Sequence, residues 1–375
     1  MGLINIRLGD YIERSTINNK DLKYGVDLIV GVNSQGVFAT PKGNTDGVDL
    51  KPYKIVENGA FVYNPTRLEL GSIAYRTEGL CIVSHLYMVF YLTDEGKKII
   101  DPMWLYIYFR RSEFCREVKF RNFGSQRPEF NFNDMSDIVI PLPDIEIQKK
   151  YVDIYNAMLE NQKSYEYGLE DLKLACDAYI EDLKHGIHCK AIGPYVERHD
   201  VRNRTNEIKN VMGVSTSKEF REPTSKVNRN ELSNYKIVRP RQISFVQTTH
   251  NEKVFAYAFN NTEDDIVVTS VNEVFSVDED KLLPEYLCMF FNRTEFDRYA
   301  RFHSWGSARE TFTWDDLVKV EIPIADMKTQ KSIADIYKAY KERKAINDKL
   351  KVKIKDICPI LIKGSIEKAR KAKEA

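Results

Sequence analysis

Thirty-two residues from Gly124 to Tyr155, GSQRPEFNFNDMSDIVIPLPDIEIQKKYVDIY, return 182 positions later, without a gap, as GSARETFTWDDLVKVEIPIADMKTQKSIADIY from Gly306 to Tyr337. Other blocks keep the same order. LGDYIER at Leu8 returns as IGPYVER at Ile192, GV at Gly31 and YKIV at Tyr53 return at Gly213 and Tyr235, and RSEFCREVKF ending at Phe120 returns as RTEFDRYARF ending at Phe302. Across the 33 positions from Phe123 to Tyr155, 13 are identical to their partners. Solenoid units are roughly 20–50 residues long, so this period means two whole domains, each followed by the same element. A chain of 375 residues has room for both.

Between the matching blocks the copies diverge, notably Ser34–Val48 against Thr216–Arg229. These stretches are polar and rich in Gly, Asn, Ser and Lys, which reads as surface loop. A copied framework with different loops is the pattern of two related readers of two different ligands. Within each copy, GAFVYNP, CIVSHLYMVFYL, QISFVQT and DIVVTSVNEVFSV read as strands between turn residues. PMWLYIYFRRSEFCREV and PEYLCMFFNRTEFDRYA carry helical spacing behind a proline suited to a first turn. The fold class is therefore α+β, two mixed α/β globular domains in tandem, accompanied by two long helices.

Each junction strand, DIVIPLP or KVEIPIA, leads into one of those helices. In the first, Tyr151, Ile154, Met158, Asn161, Tyr165, Gly168, Leu172, Ala175 and Tyr179 step by three and four. Ile333, Ile336, Tyr340, Arg343, Asn347, Leu350, Ile354, Ile357 and Leu361 do the same in the second. Alternating spacing makes one seam per helix, and two seams pair as a coiled coil, with Asn161, Asn347, Arg343 and Gly168 fixing the register. The alternative is that each helix packs only on its own lobe. Pro359 is expected to kink or end the second helix. The boundaries so read are 1–143 and 189–325 for the lobes, 144–188 and 326–375 for the helices.

Several chemistries find no residues here. The sequence has no G-x-x-x-x-G-K-[ST] phosphate cradle, no G-x-G-x-x-G and no G-x-S-x-G. NPTR at Asn64 lacks the second proline and aromatic residue of an amino-methyltransferase loop. HGIHC at His185 resembles half of a metal site but has no partner pair at ligand spacing, so no metal is expected. Six scattered cysteines without a C-x-x-C fit a reducing cytoplasm, and the start lacks the charged-then-apolar order of a signal peptide. No apolar run approaches the roughly 18 residues that cross a bilayer. A catalytic duty for this chain alone is not expected.

Net charge is +1, but it is unevenly spread. Arg198–Arg241 holds eleven Lys/Arg against five Asp/Glu, Tyr108–Arg127 six against two, and Asn261–Asp280 seven acids and no base. Such segregation suits a protein that meets a polyanion on chosen faces; a mixed surface of ordinary patchiness is the alternative. The loops RNFGSQR and HSWGSAR each place an aromatic, Gly, Ser, a variable residue and Arg after a basic helix. Arg121, Ser125, Arg127, Ser307 and Arg309 could hold phosphate or a guanine edge, or the arginines could pair with nearby carboxylates in a structural turn. In the divergent loops Asn33, Ser34, Gln35, Lys42 and Asn44, and opposite them Ser215, Thr216, Ser217, Lys218, Arg221 and Lys226, are the candidate base readers.

The ordered duplication of LGDYIER/IGPYVER, the GS-x-R loops, IPLPDIEIQKK/IPIADMKTQKS and the helices after them resembles the DNA-specificity (S) subunit of type I restriction–modification systems. In that family the junction reads Pro-Leu-Pro, a few residues, then Gln; Gln148 and Gln330 hold that place, with Ala325 where Pro143 stands in the first copy. The resemblance implies two target-recognition domains reading the halves of a split DNA target, separated by a pair of long helices packed as an antiparallel coiled coil that sets the unread gap. It implies no cofactor in this chain. S-adenosylmethionine, ATP and Mg would serve the partners, two methylation (M) and two restriction (R) subunits. Two other readings stand beside it: the separate recognition subunit of another restriction–methylation type, and a coiled-coil adaptor that never meets DNA.

Overall fold

Each sheet of the first copy has a counterpart in the second. The computed structural model describes residues 2–374 except 42, 44, 46, 123–128, 249–253 and 306–309. In the first copy the strands are β1 (Ile4–Arg7), β2 (Ile12–Arg14), β3 (Gly31–Val32), β4 (Phe38–Ala39), β5 (Lys54–Val56), β6 (Phe61–Tyr63), β7 (Ile73–Tyr75), β8 (Cys81–Val83), β9 (Met88–Leu92) and β10 (Val139–Leu142). In the second they are β11 (Cys189–Ala191), β12 (Val196–His199), β13 (Gly213–Val214), β14 (Phe220–Arg221), β15 (Lys236–Val238), β16 (Ile243–Val246), β17 (Tyr257–Phe259), β18 (Ile266–Val268), β19 (Asn272–Val277) and β20 (Glu321–Pro323). The four-stranded antiparallel sheets run β2-β9-β6-β7 and β12-β19-β16-β17, and the pairs β1-β10, β3-β4 and β5-β8 recur as β11-β20, β13-β14 and β15-β18.

Helices α1 (Asp94–Ile99), α2 (Pro102–Phe109), α3 (Ser112–Arg121) and α4 (Phe132–Ser136) precede the long α5 (Ile145–Gly186); α6 (Pro284–Phe291), α7 (Thr294–Phe302) and α8 (Trp314–Leu317) precede α9 (Met327–Glu374). The stretch expected as one helix behind Pro102 is two. From Trp104 to Phe109 every residue of α2 is buried, whereas α3 buries only Phe114 and Val118, and the extended backbone of Arg111 lets the two take different axes. The same break separates α6 from α7 at Arg293. Aromatic side chains fill both cores: Phe61 stacks on Phe90 and meets Phe109 edge-on, and Phe255 meets Phe291, Phe296 and Phe312 edge-on.

Two compact units result, one of Met1–Ser164 with Asn347–Ala375, the other of Tyr165–Ile346. Each contains the start of one long helix and the end of the other, and the pairing inside each is antiparallel. In the first unit Tyr151 faces Gly364, and Gln162 Nε2 donates to Asn347 Oδ1 at 2.9 Å in a buried polar pair. In the second, Arg343 lies against Gly168, where a Cβ would come within 2.7 Å of its guanidinium. Such a buried amide pair costs stability and fixes register.

The seam on α5 lies one residue beyond the expected one. Val152, Tyr155, Gln162, Cys176 and Ile180 are buried, while Ile154 is 47% and Tyr179 44% exposed. Tyr151, Met158 and Leu172 are half-buried at its margin. One residue is a rotation of about 100°, and the reason for it is the lobe. Val152 and Tyr155 join the first aromatic core, and Cys176 and Ile180 the second, so the buried stripe faces both partner helix and lobe. On α9 the expected residues hold better: Ile333, Asn347 and Ile354 are buried, and Ile336, Tyr340, Leu350 and Ile357 half-buried. Pro359 does not end α9, which continues to Glu374. The apolar grip of Cys358, Leu361 and Ile362 on the first core holds the turn against the lost amide.

The units grip their helices by different forces. In the first, Trp104 Nε1 donates to Ser365 Oγ at 3.1 Å among apolar neighbours. In the second, the buried Arg293 guanidinium binds Asp177 at 3.0 Å, Glu295 at 2.6 Å and Glu181, while Lys184 bridges Glu181 and Glu295. Arg293, then Lys184, hold the Glu181 carboxyl down at about 2. A depressed carboxyl stabilises the fold above its ordinary range, near 4.3, and that contribution disappears as pH falls through its folded value. The stability difference between wild type and Glu181→Gln should therefore be constant above about pH 5 and vanish near pH 2. Urea titrations across that range check it; a difference that grew with acid would contradict the assignment.

Candidate nucleic-acid interface

The four-residue turns of the β3–β4 and β13–β14 hairpins occupy equivalent places and carry most of the candidate base readers. In the first, Asn33 Oδ1 accepts from the amides of Gln35 (2.9 Å) and Val37 (3.3 Å), and Gly36 takes a φ of +76°. Asn33 thus shapes the turn, and Ser34 and Gln35 are its exposed tip. In the second, the buried Ser215 hydroxyl donates to the Glu219 carbonyl at 2.9 Å and meets Ser217 Oγ at 2.6 Å. Thr216 is half-buried and Ser217 exposed.

A buried cation fastens each turn to the end of the neighbouring helix, contributed from opposite sides. In the first copy Arg110, just past α2, donates to the carbonyls of Gly71 (2.5 Å) and Ser34 (3.4 Å), and Tyr106 Oη donates to Gly36 O at 3.1 Å. In the second, the residue matching Gly36 is Lys218, at φ +62°, whose ammonium donates to the Phe291 carbonyl at 2.8 Å and lies 2.8 Å from Asp297. Only 7% of Lys218 is exposed, and burial holds its pKa below the ordinary lysine value, opposed by Asp297. Lys218 is therefore not a base reader. Its charge is committed to the C-terminal end of α6, where a cation is favoured. The sequence reading missed Arg110 and Tyr106; the signal available was a basic residue directly after a fully apolar helix.

The segregated charges in part cancel one another. Of the eleven bases in Arg198–Arg241, five are paired: Arg198 and Lys236 with the buried Glu273, Arg202 with Asp200, Lys218 with Asp297, and Arg241 with Glu279 and Glu285. Glu273 and Glu279 come from the acidic stretch itself. Arg204, Lys209, Arg221, Lys226, Arg229 and Arg239 remain exposed. Arg121 donates to Glu117 at 2.8 Å across one helical turn. Lys42, Ser125, Arg127, Ser307 and Arg309 lie outside the described residues.

Gln148 and Gln330, both fully buried, repeat one set of contacts. Gln148 Oε1 accepts from the Asp101 amide at 2.9 Å, and its Nε2 donates to the carbonyls of Ile99 (2.8 Å) and Pro143 (2.7 Å). Gln330 accepts from Leu283 N at 2.9 Å and donates to the carbonyls of Lys281 and Ala325, both at 2.8 Å. Only a carbonyl is used at position 143 or 325, so proline and alanine serve equally. Among the described residues no cluster of three or more His, Cys, Asp or Glu is placed to hold a metal ion, and no helix is long and apolar enough to cross a membrane.

A family model, the type I restriction modification DNA specificity domain, matches the chain twice, over residues 4–166 and 194–356. The chain belongs to that family. Two copies of a DNA specificity domain make it a bipartite DNA-recognition subunit. The fold recurs in a solved structure. The S subunit of a type I restriction–modification system from M. genitalium is 10% identical, with 97% of this chain and 96% of that one covered and a TM-score of 0.58. The HsdS subunit from Thermoanaerobacter tengcongensis is 15% identical, covering 97% and 96% with a TM-score of 0.38. A chain described for complex assembly and conformational transition of the type I R-M system is 15% identical, covering 98% and 97% with a TM-score of 0.46. No curated protein matches.

Proposed function

We propose that each specificity domain reads one half of a split duplex target, and that the chain scaffolds the methylation and restriction subunits, two of each, without doing chemistry itself. S-adenosylmethionine, ATP and Mg are then used by those partners, in the cytoplasm. One observation carries this reading: the framework is duplicated strand for strand, while the hairpin tips differ, Ser34-Gln35 in one copy and Thr216-Ser217 in the other. Equal scaffolds with unequal tips are what two different half-sites require. Ser34, Gln35, Arg221 and Lys226 are exposed and able to meet DNA; Arg127 and Arg309 are proposed as phosphate or guanine contacts on sequence grounds.

Binding to duplex should weaken steeply with salt, because each phosphate neutralised releases counterions. Replacing Arg221 or Lys226 by Gln should lower the slope of log K against log salt by about 1 each and leave folding stability within about 0.5 kcal/mol. Titration of the complex with its methylation subunits on duplex DNA measures both. A salt-independent affinity would remove the reading.

A further inference from the structure

Phe120 and Phe302 occupy matched positions near the ends of α3 and α7 and are 82% and 77% exposed. Neither belongs to a core, so neither stabilises its lobe by burial. A single exposed ring is ordinary; the same ring kept at the same place in both copies is not, because the surfaces around it have diverged. Glu117, Lys119 and Arg121 correspond to Tyr299, Arg301 and His303. Of the ten aligned positions from Ser112 to Arg121, four are identical. Phe114 and Phe296 are core residues, Glu295 is tied to Arg293, and the remaining identities are Arg116/Arg298 and Phe120/Phe302. Arginine and phenylalanine four residues apart lie on one helix face, and here both are exposed on both helices.

We infer that Phe120 and Phe302 are apolar DNA contacts, one per specificity domain, each ring lying against a base or deoxyribose while the arginine one turn earlier holds the adjacent phosphate. This rests on the proposed function and names further residues that carry it. Charge decides for DNA over a protein partner. Lys119 and Arg121 flank the first ring, with Arg121 paired to Glu117 and Arg116 to Glu113 along the same helix, and Arg301, paired with Glu310, and His303 flank the second. On α7 the acids are engaged by their own lobe, Glu295 by Lys184 and Arg293 and Asp297 by Lys218, and Arg301 pairs with Glu310, so Arg298 is the exposed cation on the face that carries the ring. An aromatic ring beside an exposed cation matches the stacked faces and phosphates of nucleic acid.

The test uses the full chain, a mixed-sequence duplex at low salt, and F120A and F302A. Each substitution removes an exposed ring, so folding is not at stake. Alanine should weaken binding about 5- to 100-fold at each position, with the salt slope unchanged because no charge is lost, whereas Arg116→Gln and Arg298→Gln should reduce the slope by about 1. Tryptophan at either position should retain binding. Benzoylphenylalanine at 120 or 302 should photo-cross-link to the duplex. Wild-type affinity in both alanine variants, or cross-links to protein in place of DNA, overturns the inference and leaves the proposed function standing. A wild-type chain that binds no duplex, alone or in complex with its methylation subunits, overturns both.

Discussion

Gln148→Leu should destabilise the first unit by about 3–5 kcal/mol, enough to unfold a marginal domain. Leucine fits the space but leaves the Asp101 amide and the carbonyls of Ile99 and Pro143 without the partner that serves all three. Each buried polar group left unpaired costs about 1–3 kcal/mol. Gln330→Leu should cost the second unit the same to within about 1 kcal/mol, since its three bonds match in partner position and length. Glutamate should be worse than leucine, because it adds a buried charge and loses both donors. Urea denaturation of the single variants measures these losses. Values below about 1 kcal/mol would mean that the strand-to-helix junction is held by something other than this side chain.

Lys218→Ala should cost about 3–5 kcal/mol, because it leaves the Asp297 carboxylate, 15% exposed, without its cation. The Asp297 Oδ1 contact to the Phe255 amide keeps that carboxylate in place and its charge buried. The hairpin turn would lose its fastening to α6, so DNA binding should fall together with thermal stability. Arg221→Ala, on the same hairpin, should leave stability within about 0.5 kcal/mol and weaken binding alone. The pair separates a structural lysine from an arginine proposed to face DNA on one hairpin. A Lys218→Ala protein that melts like wild type but fails to bind would return Lys218 to the interface.

Much of the architecture was legible because the duplication is. A strand-to-helix junction written twice fixes two domains and two long helices, and the sheets then follow in matching order. What sequence could not show is which polar residue faces inward. Lys218 looks like a loop lysine until its positive φ and the nearby α6 terminus turn it into the core. Arg198 and Glu273 stand 75 residues apart in sequence yet join in a bidentate pair, so local charge counts overstated the basic surface. The seam of α5 was displaced by one residue because heptad spacing describes two helices alone, and here the lobes claim part of the same stripe. Gln148 and Gln330 were visible as a motif; their shared task as three-way hydrogen-bond clamps needed coordinates.

The central claim is that each copy reads its own DNA half-site through its own hairpin tip. Selecting bound duplexes from a random-sequence pool, with the chain in complex with its methylation subunits, tests it most directly. Two defined tracts flanking an undefined gap are predicted, with Ser34→Ala/Gln35→Ala rewriting one tract and Thr216→Ala/Ser217→Ala the other. A single continuous tract, or both substitutions altering the same one, would contradict it.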